Sequence, residues 1–387
     1  MKVEQIYSIL NDITGEMLGD TVVVAEDLSN IVDIGQAFED AVGYDNYVRN
    51  LVDHIGRVVF VDRVYSGRAP RVLMDGWEYG SIMEKICARM PEADENEMWT
   101  LEDGQSYNQD IFKKSDVLAK FFNDRVTYDV QLSIATEQVK SSFDNITQLN
   151  AFYSMLYNSV NNSMTVKTDA LIMRTINNMI GETVYDAFNG GSISAGSTVR
   201  AVNLLKLYND SLPENVADLT ADEFLASPDA IRFAVFMLTE YMDRLKVMSN
   251  LFNVGGESRF TPEDRLHVVL LSTFKNRANI YLQSDTFHDD YTALPNADAV
   301  TYWQGSGTNY DFANSSKIDI KTSSGHSVTI TGVLGCMFDR DALGVANLDR
   351  RTTSHYNAKA DFTNNFYHFT SGFFNDLNEN FVVFYVA

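Results

Sequence analysis

Gly332 to Ala387 read GVLGCMFDRDALGVANLDRRTTSHYNAKADFTNNFYHFTSGFFNDLNENFVVFYVA, and this stretch decides the fold. The apolar run 333–338 meets an acidic turn at 339–341. A basic pair and a long polar and aromatic stretch without proline then lead to a second apolar run, 381–386. Valine, phenylalanine and tyrosine pack well on a pleated, half-buried surface. We therefore expect 381–386 to be a strand tied into a core, which closes the fold.

A clean β pattern occurs earlier, at residues 125–134. Apolar and polar residues alternate strictly there, which is typical of a strand with one buried face. We expect this strand to pair with residues 58–65 and, with it, to frame a projecting hairpin. The acidic tract 92–103 within the hairpin matches no calcium-loop spacing, so we expect it to be solvated. Because a two-stranded ribbon is marginally stable alone, its apolar side chains need a partner, and a neighbouring subunit is the obvious candidate.

Helical periodicity marks three segments in the first two-thirds of the sequence. Apolar residues recur at helical spacing over 46–56, and again over 144–163, where they predict a long helix with 168–188 as a candidate continuation. Thr220 and Glu223 have the spacing of a capping box.

The adjacent Ser227 and Pro228 combine an N-cap with a proline at the first helical position. The apolar pattern that follows predicts a helix of about six turns reaching Phe252. Residues 266–282 should begin as a buried strand and become helical. The polar residues 285–327 should form surface loops.

Composition places the chain among globular proteins. It has 387 residues, of which 45% are hydrophobic and 12% aromatic, enough for a large core and two or three domains. The net charge of -23 argues against a surface that tracks DNA phosphates, since such surfaces depend on Lys and Arg. Cys87 and Cys336 allow one disulfide, but two buried free thiols in a reducing compartment are the preferred interpretation.

Targeting and membrane signals are not apparent. The first residues mix charges through their apolar positions, unlike a signal peptide. No apolar stretch reaches the length of about eighteen residues that a membrane span needs.

Enzyme motifs are also not apparent, so we predict no catalytic residue, no metal and no cofactor. Asp285, His288, Asp289 and Asp290 gather metal-binding groups, but they lack the spacing that fixes ligands on a regular element, and an exposed loop is preferred. Cys336 has no basic neighbour to activate it and should behave as a small hydrophobe.

The order of these elements resembles that of tailed-bacteriophage major capsid proteins with the Hong Kong 97-type fold, and is nearest to small podovirus capsid proteins. In that family an apolar strand, an Asp-containing turn, an arginine-bearing long strand and a terminal strand follow one another at the carboxyl end. A spine helix follows the extended loop directly, as 144–163 follows 57–140 here.

The resemblance implies an α+β fold in four parts. They are an N-terminal arm at 1–56, an extended loop at 57–140, a peripheral domain with the spine helix at 141–190 and 350–376, and an axial domain at 191–349 and 377–387.

The resemblance also implies what the protein does. Copies should form pentamers and hexamers of an icosahedral virion shell that encloses double-stranded DNA without sequence-specific binding or a membrane. Assembly in the host cytoplasm would involve a portal protein and a scaffolding protein or a processed precursor, because no long N-terminal scaffold extension is seen. Minor or decoration proteins are further candidate partners.

Five residues are candidates for contacts between subunits. They are Arg350, Arg351, Trp77, Tyr79 and Trp99. The two arginines suit carboxylates of another subunit, because Arg binds them in a bidentate manner. Local pairing with Asp339, Asp341 or Asp349 remains the alternative.

Two other classes of protein stay open. An exported cell-surface structural protein would share the acidic composition but should carry an export signal. A metal-dependent hydrolase would use the region around His288.

Overall fold

The computed structural model describes residues 63–74, 83–91, 93, 95, 103–104, 110, 112–135, 146–190, 196–283, 297–304 and 311–387. The N-terminal arm expected at 1–56, including the helix at 46–56, lies outside these residues. The chain divides into two compact units. The first comprises 1–65, 132–162 and 354–365, and the second comprises 66–131, 163–353 and 366–387.

The elements are numbered in chain order. The helices are α1 Ile146–Ala187, α2 Leu204–Ser211, α3 Ala221–Ala226, α4 Pro228–Leu245, α5 Ser272–Gln283 and α6 Phe312–Ser315. The strands are β1 Leu73–Met74, β2 Met83–Ala88, β3 Val117–Phe122, β4 Arg125–Ala135, β5 Ala201–Asn203, β6 Leu266–Leu271, β7 Asp298–Val300, β8 Ile318–Lys321, β9 Ser327–Ile330, β10 Val333–Asp339, β11 Leu343–Asn357, β12 Phe362–Asn375 and β13 Phe381–Tyr385.

A five-stranded sheet with the order β5-β13-β10-β6-β7 forms the core of the second unit. β10 pairs antiparallel with β13 and β6, whereas the short outer strands β5 and β7 pair parallel with their neighbours. Every residue of β10 and β13 is buried. Strands buried on both faces have unbroken apolar sequences, which is why this pair is recognisable in the sequence. The expected terminal strand is confirmed.

Helices cover both faces of this sheet. Successive residues of a strand point to opposite faces. Cys336 therefore packs in one apolar cluster with Ile180 of α1, and its neighbour Met337 packs in another with Leu238 of α4. The core consists of two apolar layers separated by the sheet.

α1 is one continuous helix of 42 residues, about 63 Å long at 1.5 Å per residue. The expected helix at 144–163 and its candidate continuation are thus a single element. Buried polar side chains in its second half hold the loop after β7 and the turn between β8 and β9. Asn177 Nδ2 donates to the Trp303 carbonyl at 2.8 Å, and Asn178 Oδ1 accepts from the Ser323 N–H at 2.7 Å.

The prediction of surface loops over 285–327 is wrong for several described residues. Trp303 is 1% exposed, and its Nε1 donates to the Val333 carbonyl at 3.0 Å. β8 and β9 form an antiparallel hairpin whose Ile318 and Ile330 are buried. Each strand has only four residues, and the Ser and Gly residues between the strands hide the short alternation. Residues 284–296 and 305–310 lie outside the described residues.

The expected helix from Ser227 is confirmed at its start but ends at Leu245, well before Phe252. The Ser227 side chain accepts from the Ala230 N–H at 3.4 Å, which caps the helix. Beyond Leu245, an antiparallel bridge between Ser249 and Arg259 takes the chain out of helical geometry. Phe252 is nevertheless buried, which explains why its position imitated a helical period.

A four-stranded sheet has the order β1-β11-β12-β4. The strand predicted at 125–134 is confirmed as β4, but its neighbour among the described residues is β12. The expected partner 58–65 lies largely outside those residues, and 63–65 are not in a strand. The long carboxyl-terminal strand begins at Leu343, before Arg350, because its first residues are buried.

In the first unit, side-chain hydrogen bonds close the turn between β11 and β12 and hold residues 63–65 against α1. The Tyr356 hydroxyl donates to Asp361 Oδ1 at 2.7 Å across the turn between β11 and β12. The Asn162 side chain accepts from the Tyr65 N–H at 2.8 Å and donates to the Arg63 carbonyl at 2.7 Å.

Candidate subunit-contact surfaces

The five candidate contact residues fall in two groups. Trp77, Tyr79 and Trp99 lie outside the described residues, so their role stays a prediction. Arg350 and Arg351 are exposed residues of β11. As consecutive residues of a strand, they point to opposite faces of the four-stranded sheet. They therefore cannot act as one bidentate pair on a single partner group.

Arg350 covers part of the core. Its Cζ lies 5.0 Å from the ring centroid of Phe369, a fully buried residue of β12. Phe369 in turn stacks on Tyr128 of β4 at 6.3 Å. The guanidinium gains a cation–π contact while its stem shields the ring from water.

Arg351 shares its face of the sheet with a polar row that crosses three strands. Thr353 Oγ1 on β11 lies 3.1 Å from His368 Nε2 on β12, and His368 Nδ1 lies 2.5 Å from Asp129 Oδ1 on β4. The Asp129 side chain is 61% exposed. This face is polar and solvated, and it suits contacts with a charged surface.

The local ion pairs considered for the arginines do not form within the described part of the chain. Asp341 pairs instead with Arg265, and Asp339 Oδ1 accepts the Asp341 N–H at 2.9 Å. Contact of Arg350 or Arg351 with another subunit stays a prediction.

A ribbon of β2 and β3 is the surface that the sequence did not reveal. The two strands pair antiparallel, with Ile86 opposite Ala119 and Glu84 opposite Phe121. One face, which we call the outer face, is exposed and largely apolar. Ile86 is 63% exposed, Val117 56% and Phe121 65%. The hairpin predicted between 58–65 and 125–134 is thus built, within the described residues, from strands inside the insertion.

The opposite, inner face of the ribbon is half-buried and carries two lysines. Lys85 Nζ donates to Asp376 Oδ2 at 2.8 Å and to Glu379 Oε1 at 2.6 Å, and Lys120 Nζ donates to Asp376 Oδ1 at 2.9 Å. Both carboxylates belong to the turn between β12 and β13. Apolar residues occur on both faces of the ribbon, so its sequence lacks the clean alternation that identified β4.

Metal-binding groups are not assembled in the described residues. No cluster of three or more His, Cys, Asp or Glu that could hold a metal ion occurs among them. The thiols of Cys87 and Cys336 are free, but only Cys336 is buried as expected, whereas Cys87 is half-buried. Burial raises the pKa of Cys336 strongly, which keeps it protonated. The group at 285–290 lies outside the described residues. No described helix has the length and apolarity of a membrane span.

This mixed helix and sheet architecture is the Hong Kong 97-type fold, which solved phage capsid structures share. The chain belongs to the family of Phi29-like phage major capsid proteins, whose sequence model matches residues 8–385. It is therefore a phage major capsid protein and a component of the virion.

Solved structures share this fold. A chain in the capsid structure of Staphylococcus phage Andhra is 11% identical, with a TM-score of 0.50 over 86% of this chain and 87% of that one. A chain in the structure of the head fiber and inner core protein gp22 of native bacteriophage P68 is 9% identical, with a TM-score of 0.53 over 86% and 88%. Such low identities show the fold alone. No curated protein matches the sequence.

Proposed function

We propose that copies of this capsid protein form pentamers and hexamers of an icosahedral shell that encloses double-stranded DNA. The observation that carries this proposal is the family match over residues 8–385. A closed shell needs many modest, repeated contacts rather than one strong one. The exposed apolar surface of the ribbon is suited to such a contact.

The outer face of the ribbon is the proposed contact with a neighbouring subunit. Ile86, Val117 and Phe121 are each more than half exposed on a surface whose one charged residue is Glu84. Exposed apolar patches commonly mark protein interfaces. Burial of such a side chain from full exposure stabilises by about 1.5 to 3 kcal/mol, and covering the exposed part of each of these three gives more than half of that. Three of them repeated around a capsomer would favour assembly substantially.

The four-part domain organisation is also a proposal. The ribbon falls within the proposed extended loop at 57–140. α1 runs through the proposed peripheral segment 141–190, and β11 and β12 supply 350–376. The central sheet draws its strands from the proposed axial segments 191–349 and 377–387.

Assembly would take place in the host cytoplasm with a scaffolding protein and a portal protein, and minor or decoration proteins would join the shell. The net charge of -23 supports a wall that contains DNA without gripping it, because phosphate binding depends on Lys and Arg.

We also propose that the protein has no catalytic activity. Its family acts by forming the capsid, and this favours the capsid interpretation over an exported surface protein or a hydrolase around His288. Full stability and assembly of a His288→Ala variant would agree with this.

Electron microscopy of the purified protein, with and without its scaffolding protein, tests assembly. Capsomers or shells are expected, and monomers alone under all conditions would contradict the proposal. Phe121→Glu should prevent shell formation, because a charge would be buried in the contact. Val216→Glu is the matched control, since Val216 is 50% exposed and lies away from the ribbon in sequence.

A further inference from the structure

Two lysines of the ribbon are placed so that their charges repel each other. Lys85 and Lys120 are directly opposite each other on β2 and β3. Like charges in this position destabilise a two-stranded pair. Here the Asp376 carboxylate lies between them and accepts from both ammonium groups, at 2.8 and 2.9 Å. Docking on Asp376 therefore offsets a repulsion that the isolated ribbon would retain.

The turn between β12 and β13 carries two buried negative charges. The side chains of Asp376 and Glu379 are only 2% and 10% exposed. Buried carboxylates are costly unless cations and hydrogen bonds compensate them. Arg259 Nε lies 3.5 Å from Glu379 Oε1, and the Asn378 N–H donates to Asp376 Oδ1 at 3.1 Å. The closest charge partners of Asp376 come from the ribbon.

A second ionic contact fixes the end of the ribbon at which the chain leaves β2 and later enters β3. Arg89, the residue after β2, pairs with Asp116, the residue before β3, at 2.9 Å. It also pairs with Glu257 in the loop after α4, at 2.6 Å. The ribbon is thus attached at two places to the body of its own subunit.

We propose that Lys85 and Lys120 are positioning residues, which dock the ribbon on Asp376 and thereby set where its apolar outer face is presented to the neighbouring subunit. This inference rests on the proposed contact through that face. It assigns separate tasks to the two faces of the ribbon. The inner face fixes the position through ion pairs, and the outer face makes the contact between subunits.

The pKa shifts of Asp376 and Lys85 agree with an ion pair between them. Burial raises the pKa of Asp376, but hydrogen bonds and charge interactions with Lys85 and Lys120 outweigh burial and hold the pKa below its ordinary value. Burial lowers the pKa of Lys85, but Asp376 and Glu379 outweigh it and raise the pKa. The pair is therefore charged at neutral pH. Burial keeps the pKa of Glu379 raised. Asp376 is the main anchor because it accepts from both lysines.

Hydrogen exchange of the purified, unassembled protein tests the docking. In a Lys85→Gln, Lys120→Gln double variant, amides of β2 and β3 should exchange at least about tenfold faster, equivalent to about 1.4 kcal/mol. Amides of β10 should keep their rates, which shows that the core is intact. Lys114→Gln removes an equal charge from an exposed position beside β3 and should change nothing. Lys120→Arg keeps the charge and should retain slow exchange.

An assembly assay distinguishes the positioning role of the two lysines from the subunit contact made by the outer face. The double variant should need a higher protein concentration for shell formation, whereas Phe121→Glu should block shells without changing ribbon exchange. Unchanged ribbon exchange in the double variant would overturn the positioning role, whatever the Phe121 variant does. Faster exchange with unchanged assembly would also overturn it. Normal assembly of Phe121→Glu would refute the contact through the outer face instead.

Discussion

His326 Nδ1 lies 3.4 Å from Glu182 Oε2, and the imidazole stacks on Tyr185 of α1 with ring centroids 3.7 Å apart. Glu182 is buried, and its Oε1 also accepts the Ser324 N–H at 3.0 Å. Glu182 therefore fastens the turn between β8 and β9 to the long helix. Gly181 allows this close packing, because a Cβ there would lie 3.0 Å from Thr322 Cγ2.

Acid should release this turn. Burial raises the pKa of Glu182, but hydrogen bonds from Ser324, Thr322 and His326 outweigh burial and hold the pKa below the ordinary 4.5. The resulting stability is present above about pH 4.5 and is lost as the pH falls through the folded-state pKa. Glu182→Gln should lower the free energy of unfolding by about 1 to 3 kcal/mol at pH 7. The difference should shrink below pH 4.5 in urea unfolding.

Glu214→Gln is the control for that experiment, because Glu214 is exposed in the loop after α2. It should unfold like the parent at both pH values. An equal loss in both variants would contradict a specific role for Glu182.

Gly332→Ala should be severely destabilising. Gly332 has φ +82°, and a Cβ there would lie 2.0 Å from the Val386 carbonyl oxygen, so β10 and the end of β13 would have to separate. Gly325→Ala provides a matched comparison, since Gly325 has φ +90° but no atom within 4 Å of the added Cβ. The control should cost only the strain of about 1 to 2 kcal/mol. Thermal unfolding measures both, and similar losses would refute the role of close contact.

The two adjacent arginines should give different phenotypes. Arg350→Ala should lower the free energy of unfolding by about 1 kcal/mol, because it uncovers Phe369 and removes a cation–π contact. Arg351→Ala should change stability by less than about 0.5 kcal/mol. If Arg351 contacts another subunit, the alanine variant will instead raise the concentration needed for shells. Chemical unfolding and an assembly titration distinguish these results, and equal effects in both assays would contradict the assignment to opposite faces.

Alkaline pH should destabilise the central sheet through Tyr385. Burial raises its pKa from 10.0 to about 12, and its hydroxyl donates to the Gly196 carbonyl at 2.5 Å. Because the folded state favours the neutral phenol, stability is full below pH 10 and is lost between pH 10 and about 12. Tyr385→Phe should lose about 1 kcal/mol at pH 7 and show a smaller alkaline loss. An unchanged alkaline loss would show that other groups cause it.

The sequence predicted the elements whose burial is uniform or strictly periodic. β10 is apolar from Val333 to Phe338 and β13 is apolar throughout because both faces are covered, and β4 alternates because one face is covered. The N-cap at Ser227 was recognisable because it depends on adjacent residues. These signals are local, and the structure confirms them.

Elements whose stability comes from distant partners could not be predicted. The ribbon depends on Asp376, about 250 to 290 residues away in sequence from its two lysines. The burial of Trp303 depends on Asn177 of α1 and on Val333. The end of α4 depends on a bridge between Ser249 and Arg259. In each case the decisive contact is invisible to a local pattern.

The position of β13 in the central sheet has a consequence for how the protein is made. β13 lies between β5 and β10, so β5 has no link to the rest of that sheet until residues 381–385 have been synthesised. Long-range strand pairing of this kind is slow and leaves apolar surface exposed in the meantime. Until β13 is made, the nascent chain exposes apolar surface. A truncated chain that lacks β13 would stay in this state and would be prone to aggregation. Only chains translated through β13 can complete the sheet.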